Sequence, residues 1–263
     1  MLINTGSRTD IPAFFSKWFL NRIEEGSVCT KNSYNDDIYR YSLDSKIIDC
    51  LCFCTKNPKP LLDNIEQLDK YSQFWFVTIT PYGRDIEVNV PSFKKVIKSF
   101  KELSSYLGEG KVSWRYDPIF ISDKYDLDFH VEMFARMASE LEGYTKDCTI
   151  SFIDLYQKVL RNFPEVCEVT RDEMLFIGEE FSKIAAEYDL QMKTCVEGTL
   201  LDKFGFDSSG CMTQKVLERA IGNNLKIPKG KYTIRECNCL FGRDIGEYNT
   251  CLHGCKYCYA NST

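Results

Sequence analysis

Histidine is scarce in this sequence: His130 and His253 are the two among 263 residues. They offer no base–nucleophile pair of the kind a hydrolase needs. No phosphate loop and no G-x-G-x-x-G segment is present, so the common nucleotide cradles are missing. A surplus of one charge is missing too. Lys and Arg total 33, Asp and Glu total 38, and the formal net charge is −5. Without a basic field, binding to nucleic acid or to an anionic membrane is disfavoured. No apolar run approaches the ~18–20 residues of a membrane-spanning helix. Residues 1–10 lack the basic and apolar regions of a signal peptide, and a cytoplasmic protein is expected.

Cysteine, by contrast, is abundant, at thirteen residues. Disulfides are rare in a reducing compartment. An odd count without a secretory signal points to metal or cluster ligation.

Strand and helix patterns alternate six times. Strands are predicted at residues 2–5, 46–55, 74–80, 111–118, 148–153 and 190–195. The run Phe74-Trp75-Phe76-Val77-Thr78-Ile79 is apolar on both faces, as in a parallel strand covered on each side. Helical spacing follows most strands, as with Phe93, Val96, Ile97, Phe100 and Leu103. Residues 34–44 are polar and read as a loop or edge excursion. The expected class is α/β, a partial (β/α)6 TIM-like barrel over residues 1–221. Residues 222–263, rich in Pro, Gly, Asn and Cys, read as a tail of the same domain lying over the barrel mouth.

Parallel barrels carry their functional groups on the loops after the strands. Here those loops hold Arg8 and Asp10, Thr55, Lys56 and Asn57, Thr80, Arg115 and Asp117, Asp154 and Tyr156, and Cys195 and Glu197.

The cysteines fall into groups. Cys251, Cys255 and Cys258 stand at C-x3-C-x2-C spacing close to the last residue. Three thiolates can hold three corners of a [4Fe–4S] cubane and leave one iron open for a ligand. Zinc is the alternative, but it needs four ligands, and the direction of His253 as a fourth is not set by spacing. Cys195, Cys211, Cys237 and Cys239 make four further ligands, enough for a second [4Fe–4S] cluster or a structural zinc. Cys50, Cys52 and Cys54 alternate along one strand with a repeat of ~6.6 Å and read as core packing. Cys29, Cys148 and Cys167 are isolated.

The segment Cys251-Leu-His-Gly-Cys255-Lys-Tyr-Cys258 resembles the cluster loop of the radical SAM superfamily, in which C-x3-C-x-aromatic-C holds a [4Fe–4S] cluster. Tyr257 matches the aromatic place. The order differs, because most members carry this loop after the first strand. A bacterial family of about this length shares the terminal placement. It also shares segments like Arg8-Thr-Asp-Ile-Pro-Ala-Phe14, Thr55-Lys-Asn-Pro58, Trp114-Arg-Tyr-Asp-Pro-Ile119 and Asp244-Ile-Gly-Glu-Tyr-Asn-Thr-Cys251. The likeness runs nearly end to end, although Cys54 stands where tryptophan is common. The resemblance implies S-adenosylmethionine (SAM) on the open iron, cleaved reductively to a 5′-deoxyadenosyl radical that abstracts hydrogen from a substrate. The Gly-Gly-Glu stretch that usually meets the SAM amino group is missing, and Thr55, Lys56 and Asn57 occupy its loop.

A radical SAM enzyme is therefore expected. Arg8, Arg115, Asp117, Asp154 and Glu197 would hold SAM or substrate. A one-electron reductant such as a flavodoxin or ferredoxin and a small-molecule or peptide substrate would be its partners. The alternative class is an iron–sulfur or zinc binding or sensor protein without SAM chemistry.

Overall fold

The computed structural model describes residues 1–32, 35–226 and 238–261. In chain order the elements are β1 (Leu2–Asn4), α1 (Ile11–Phe14), α2 (Ser16–Glu25), β2 (Ser27–Lys31), β3 (Ile38–Ser42), β4 (Cys50–Thr55), α3 (Lys59–Leu62), β5 (Gln73–Thr78), α4 (Phe93–Leu107), β6 (Val112–Ile119), α5 (Leu127–Leu141), β7 (Asp147–Phe152), α6 (Gln157–Asn162), α7 (Arg171–Glu187), β8 (Gln191–Thr194), α8 (Gln214–Ile221) and β9 (Arg243–Asp244).

Local chemistry accounts for the helix ends. Asp126 and Thr170 cap α5 and α7 through side-chain oxygens, the latter in a reciprocal capping box with Glu173. Gly26 ends α2 in the left-handed conformation.

Seven strands form one sheet in the order β8-β7-β6-β5-β4-β1-β9, and every neighbouring pair is parallel. All six predicted strands are in it. The seventh, β9, belongs to the tail and pairs with β1. The edge strands β8 and β9 do not pair with each other among the described residues, so the sheet is open. Within the stretch 34–44, read as a loop or an edge excursion, Ile38–Ser42 form the strand β3. It pairs antiparallel with β2 from Ser27↔Ser42 to Lys31↔Ile38. Val28 and Tyr41, paired across the ribbon, pack on the core, while Ile38 and Tyr39 at its far end are exposed.

Alternation divides the sheet's side chains into two layers. One face sets Ile3, Phe53, Trp75, Trp114 and Ile150 against Phe19, Phe100, Phe134 and Phe181 of the helices. Phe134 is stacked between Trp114 and Phe181, with centroids at 5.0 and 3.9 Å. The other face sets Leu2, Cys50, Cys52, Phe74 and Phe76 against Met212, Leu217, Leu225 and Leu240. Cys50 and Cys52 are therefore core residues, as expected. The segment around α8 and the start of the tail cover this second face.

His130 is wholly buried in the aromatic layer. Its Nε2 is 2.9 Å from the Phe120 carbonyl, which only accepts, so Nε2 carries the proton and Nδ1 accepts from the Tyr116 hydroxyl. Burial lowers its pKa from 6.5 to about 4. The unfolded chain therefore binds this proton more readily. The stabilising contribution is complete above pH 6.5 and disappears as the pH falls to about 4. We expect this residue to remove about 3 kcal/mol of unfolding free energy across that window. Denaturant titrations of wild type and His130→Gln at several pH values check this. The variant should show the shallower decline, and equal declines would contradict it.

Candidate functional site

The C-terminal loop Cys251–Cys258 lies against the segment after β5. Cys255 forms an antiparallel bridge with Glu87. The Lys256 amide donates to the Ile86 carbonyl at 3.0 Å, and the Asn89 amide donates to the His253 carbonyl at 2.9 Å. The Asn89 side chain donates to Leu252 O at 2.8 Å. The loop's ends are tied by Asn261 Nδ2 donating to Cys251 O at 2.7 Å. Gly254 turns the chain at φ +66°, a conformation open to glycine at little cost.

Two buried carboxylates fasten this loop to the strand ends. Asp10 caps α1 by accepting from Ala13 N at 3.0 Å, and accepts from Lys56 N at 2.8 Å. Its Oδ2 also lies 2.8 Å from His253 Nε2. Glu87 accepts from Lys56 Nζ at 2.8 Å, from Thr80 Oγ1 at 2.6 Å and from the Tyr257 hydroxyl. Burial pulls the Lys56 pKa down, but Glu87 and Cys255 oppose it and the net shift is upward. At the β1 turn, a Cβ on Gly6 would lie 2.2 Å from the Cys54 carbonyl oxygen, so only glycine fits.

Cys255 is buried, while Cys251 and Cys258 are half-buried. Burial pushes Cys251 up to about 11, with Asp10 and Cys258 adding to the rise and backbone N–H groups of His253 and Asp10 opposing it. Burial pushes Cys255 up as well, with Cys258 and Cys251 among its causes. Three sulfurs thus share one small region, where a cation would replace their protons. Among the described residues, no three His, Cys, Asp or Glu side chains are gathered around one point as a metal-ion site. A cubane places its cysteines on separate irons. Three thiols on one docked loop, one of them buried and two half-buried, fit that group chemically. His253 Nδ1 is buried without a hydrogen-bond partner among the described residues, while its Nε2 faces a carboxylate. That is the arrangement of a metal-binding histidine held by its second nitrogen.

The remaining candidates divide. Arg8 Nη2 donates to the Asp244 carbonyl at 2.7 Å, which ties the β1 loop to β9. Thr55 Oγ1 accepts from Asn57 N at 2.9 Å and shapes the β4 turn. Arg115 pairs with Asp117 through Nε at 3.0 Å, and Ser151 donates to the other Asp117 oxygen. Burial would raise the Asp117 pKa, but Arg115 and Ser151 outweigh it and the net shift is downward. Glu197 accepts from Phe152 N at 2.8 Å. Burial pushes its carboxyl up to about 7, against the Phe152 bond and with help from Asp154 and Asp117. Asp154 is exposed and accepts from the Tyr156 hydroxyl at 2.9 Å. Cys211 Sγ lies 3.6 Å from Cys239 Sγ and 3.5 Å from Arg115 Nη1, Cys195 follows the last residue of β8, and Cys237 lies outside the described residues.

Glu87, Ser151 and Asp244 are the polar groups that sequence reading missed. Glu87 sits in the connection between β5 and α4, Asp244 in a strand two residues long, and Ser151 looks like any small strand residue.

The family described as a domain of unknown function, DUF1848, matches residues 2–260. The chain belongs to that family. No curated protein matches it.

Removing one partner of a buried pair leaves the other charge uncompensated, at a cost of about 3–5 kcal/mol. Glu87→Ala should lose that much in denaturant unfolding. Lys56→Met combined with Glu87→Leu should lose clearly less, and equal losses would show that the pair is not coupled.

Proposed function

We propose that this protein is a radical SAM enzyme whose [4Fe–4S] cluster is held by Cys251, Cys255 and Cys258. The supporting observation is a three-cysteine loop, with thiols close enough to perturb one another, docked through buried Asp10 and Glu87 onto the strand ends. We read the open parallel sheet as a partial TIM-like barrel with this loop across its mouth. When bound, the cluster supplies the electron that cleaves SAM to methionine and a 5′-deoxyadenosyl radical, for hydrogen abstraction from a substrate.

The chain's own residues have distinct tasks in this reading. Asp10 orients the loop through His253 and the α1 cap. Glu87, with Lys56 and Tyr257, closes the wall beside Cys255. Lys56 is committed to Glu87, which leaves Thr55 and Asn57 as the groups of that turn nearest to a cofactor role. Asp117, Asp154 and Glu197 are acidic groups on the β6–β8 side, suited to a polar small-molecule or peptide substrate. A flavodoxin- or ferredoxin-like protein would deliver the electron. Among the described residues no helix is long and apolar enough to cross a membrane.

Anaerobic reconstitution tests the reading. The triplet should take up about four iron per chain, and SAM with a strong reductant should yield 5′-deoxyadenosine. Cys255→Ala should abolish both. A fully loaded cluster that leaves SAM intact would refute the assignment.

One observation favours a second reading, a Cys3His zinc centre in a binding or sensor protein. The partnerless His253 Nδ1 would be the fourth ligand. Under that reading His253→Ala loses the loop's metal, whereas a cubane held by three thiolates keeps its iron.

A further inference from the structure

A cavity of about 360 Å³ opens between β8, the segment that pairs beside it and α8, and the terminal loop contributes no residue to it. Asp207 forms an isolated parallel bridge with Lys193 and extends the sheet edge past β8. Thr213 then caps α8 by accepting from Val216 N at 3.3 Å. The chain thus folds back over its own edge strand, and the space between them is of the size that takes a small ligand.

The lining is cationic in a chain whose formal net charge is −5. Lys193, Lys215 and Arg219 face one carboxylate, Asp207. Lys193 is 2 % exposed. It pairs with buried Asp147, to which Ser113 also donates. Burying an ammonium with its partner costs desolvation that the pair scarcely returns, so an apolar side chain would fill the place at less cost. The ammonium has three N–H donors, and Asp147 is its one acceptor among the described residues. Thr149 stands beside Lys193 in register on β7. It is wholly buried, and its hydroxyl has no hydrogen-bond partner among the described residues.

Two more cations come from α8. Lys215 and Arg219 are exposed, one helical turn apart, and both line the cavity. Neither makes an ion pair or a side-chain hydrogen bond among the described residues. Like charges at this spacing repel each other, and an anion held by both removes that cost. The Thr213 hydroxyl accepts from the Val216 amide and keeps its own hydrogen to donate.

We propose that this cavity is a binding site for a small phosphate-bearing ligand, held by Lys193, Lys215, Arg219 and Thr213. A phosphate monoester carries about −1.5 to −2 charge at neutral pH and three strong acceptor oxygens. Three cations and a hydroxyl donor answer that demand. The planar fork of Arg219 suits two of the oxygens, and the ammonium groups serve as point charges. A carboxylate, with two oxygens and a single charge, leaves part of this set unmet. The site shares no residue with the cysteine loop and does not depend on the metal bound there.

Isothermal titration calorimetry of the full-length protein with inorganic phosphate and with glycerol 3-phosphate, in chloride at constant ionic strength, tests this. Each should bind at a single saturable site with a dissociation constant of about 1 mM or tighter. Lys215→Gln combined with Arg219→Gln removes exposed groups alone and should weaken both ligands by about tenfold or more. Lys94→Gln combined with Lys98→Gln, an equal loss of exposed charge on α4, should leave both affinities unchanged. Tighter binding of glycerol 3-phosphate would identify an organic phosphate as the ligand, and equal binding would identify inorganic phosphate. Absence of saturable binding would overturn the proposal. So would chloride that competes with phosphate on equal terms, or the same loss of affinity in the α4 variant as in the α8 variant.

Discussion

A buried carboxylate is tolerated only where donors surround it, and Asp10 and Glu87 meet that condition at one edge of the sheet. Each takes donors from parts of the chain far apart in sequence. Asp10 joins the start of α1, the β4 turn and His253 of the terminal loop. Glu87 joins the β4 turn, the end of β5 and Tyr257. Removing the terminal loop would take one donor from each carboxylate, and that mutual need seats a segment with little secondary structure of its own.

The same edge holds two polar groupings of different character. On the β1–β5 side, carboxylates, a lysine and a tyrosine clamp the cysteine loop. On the β6–β8 side, Arg115 and Asp117 form a half-buried pair beside Ser151 and Cys211. The groupings feel each other, since Lys56 is among the charges that lower the Asp117 pKa. A ligand at the edge would meet cysteine chemistry on one flank and fixed charges on the other.

The six predicted strands were legible from their alternation with helical spacing, most plainly β5, which burial on both faces writes as the apolar run Phe74–Val77. The terminal triplet was legible from spacing alone. Other features leave a fainter trace. The β2–β3 ribbon exposes Ile38 and Tyr39, and β9 is two charged residues long. Glu87 looked like any loop acid until Lys56, Thr80 and Tyr257 were placed around it. Residue type nominated Cys195, Cys211 and Cys239, but only the third dimension set two of their sulfurs 3.6 Å apart. Arg8 and Lys56, nominated by their place after strands as candidates to hold SAM or substrate, each also fasten one part of the chain to another.

The position of the cysteine loop at the end of the sequence follows a topological rule. Loops that follow the strands of a parallel sheet all emerge at one edge. β9 pairs parallel with β1, in register at Ile3↔Arg243 and Asn4↔Asp244, so the chain that leaves it must emerge where the chain leaving β1 does. The loop is in effect a loop after a strand, delivered by the seventh strand instead of the first. Gly6, pressed against Cys54, keeps the β1 turn low. Tyr259 donates its hydroxyl to the Ser7 carbonyl at 2.6 Å, so the tail lies directly on that turn. Two residues of parallel pairing thus set the cysteine loop on the same edge of the sheet as the loops that follow the other strands.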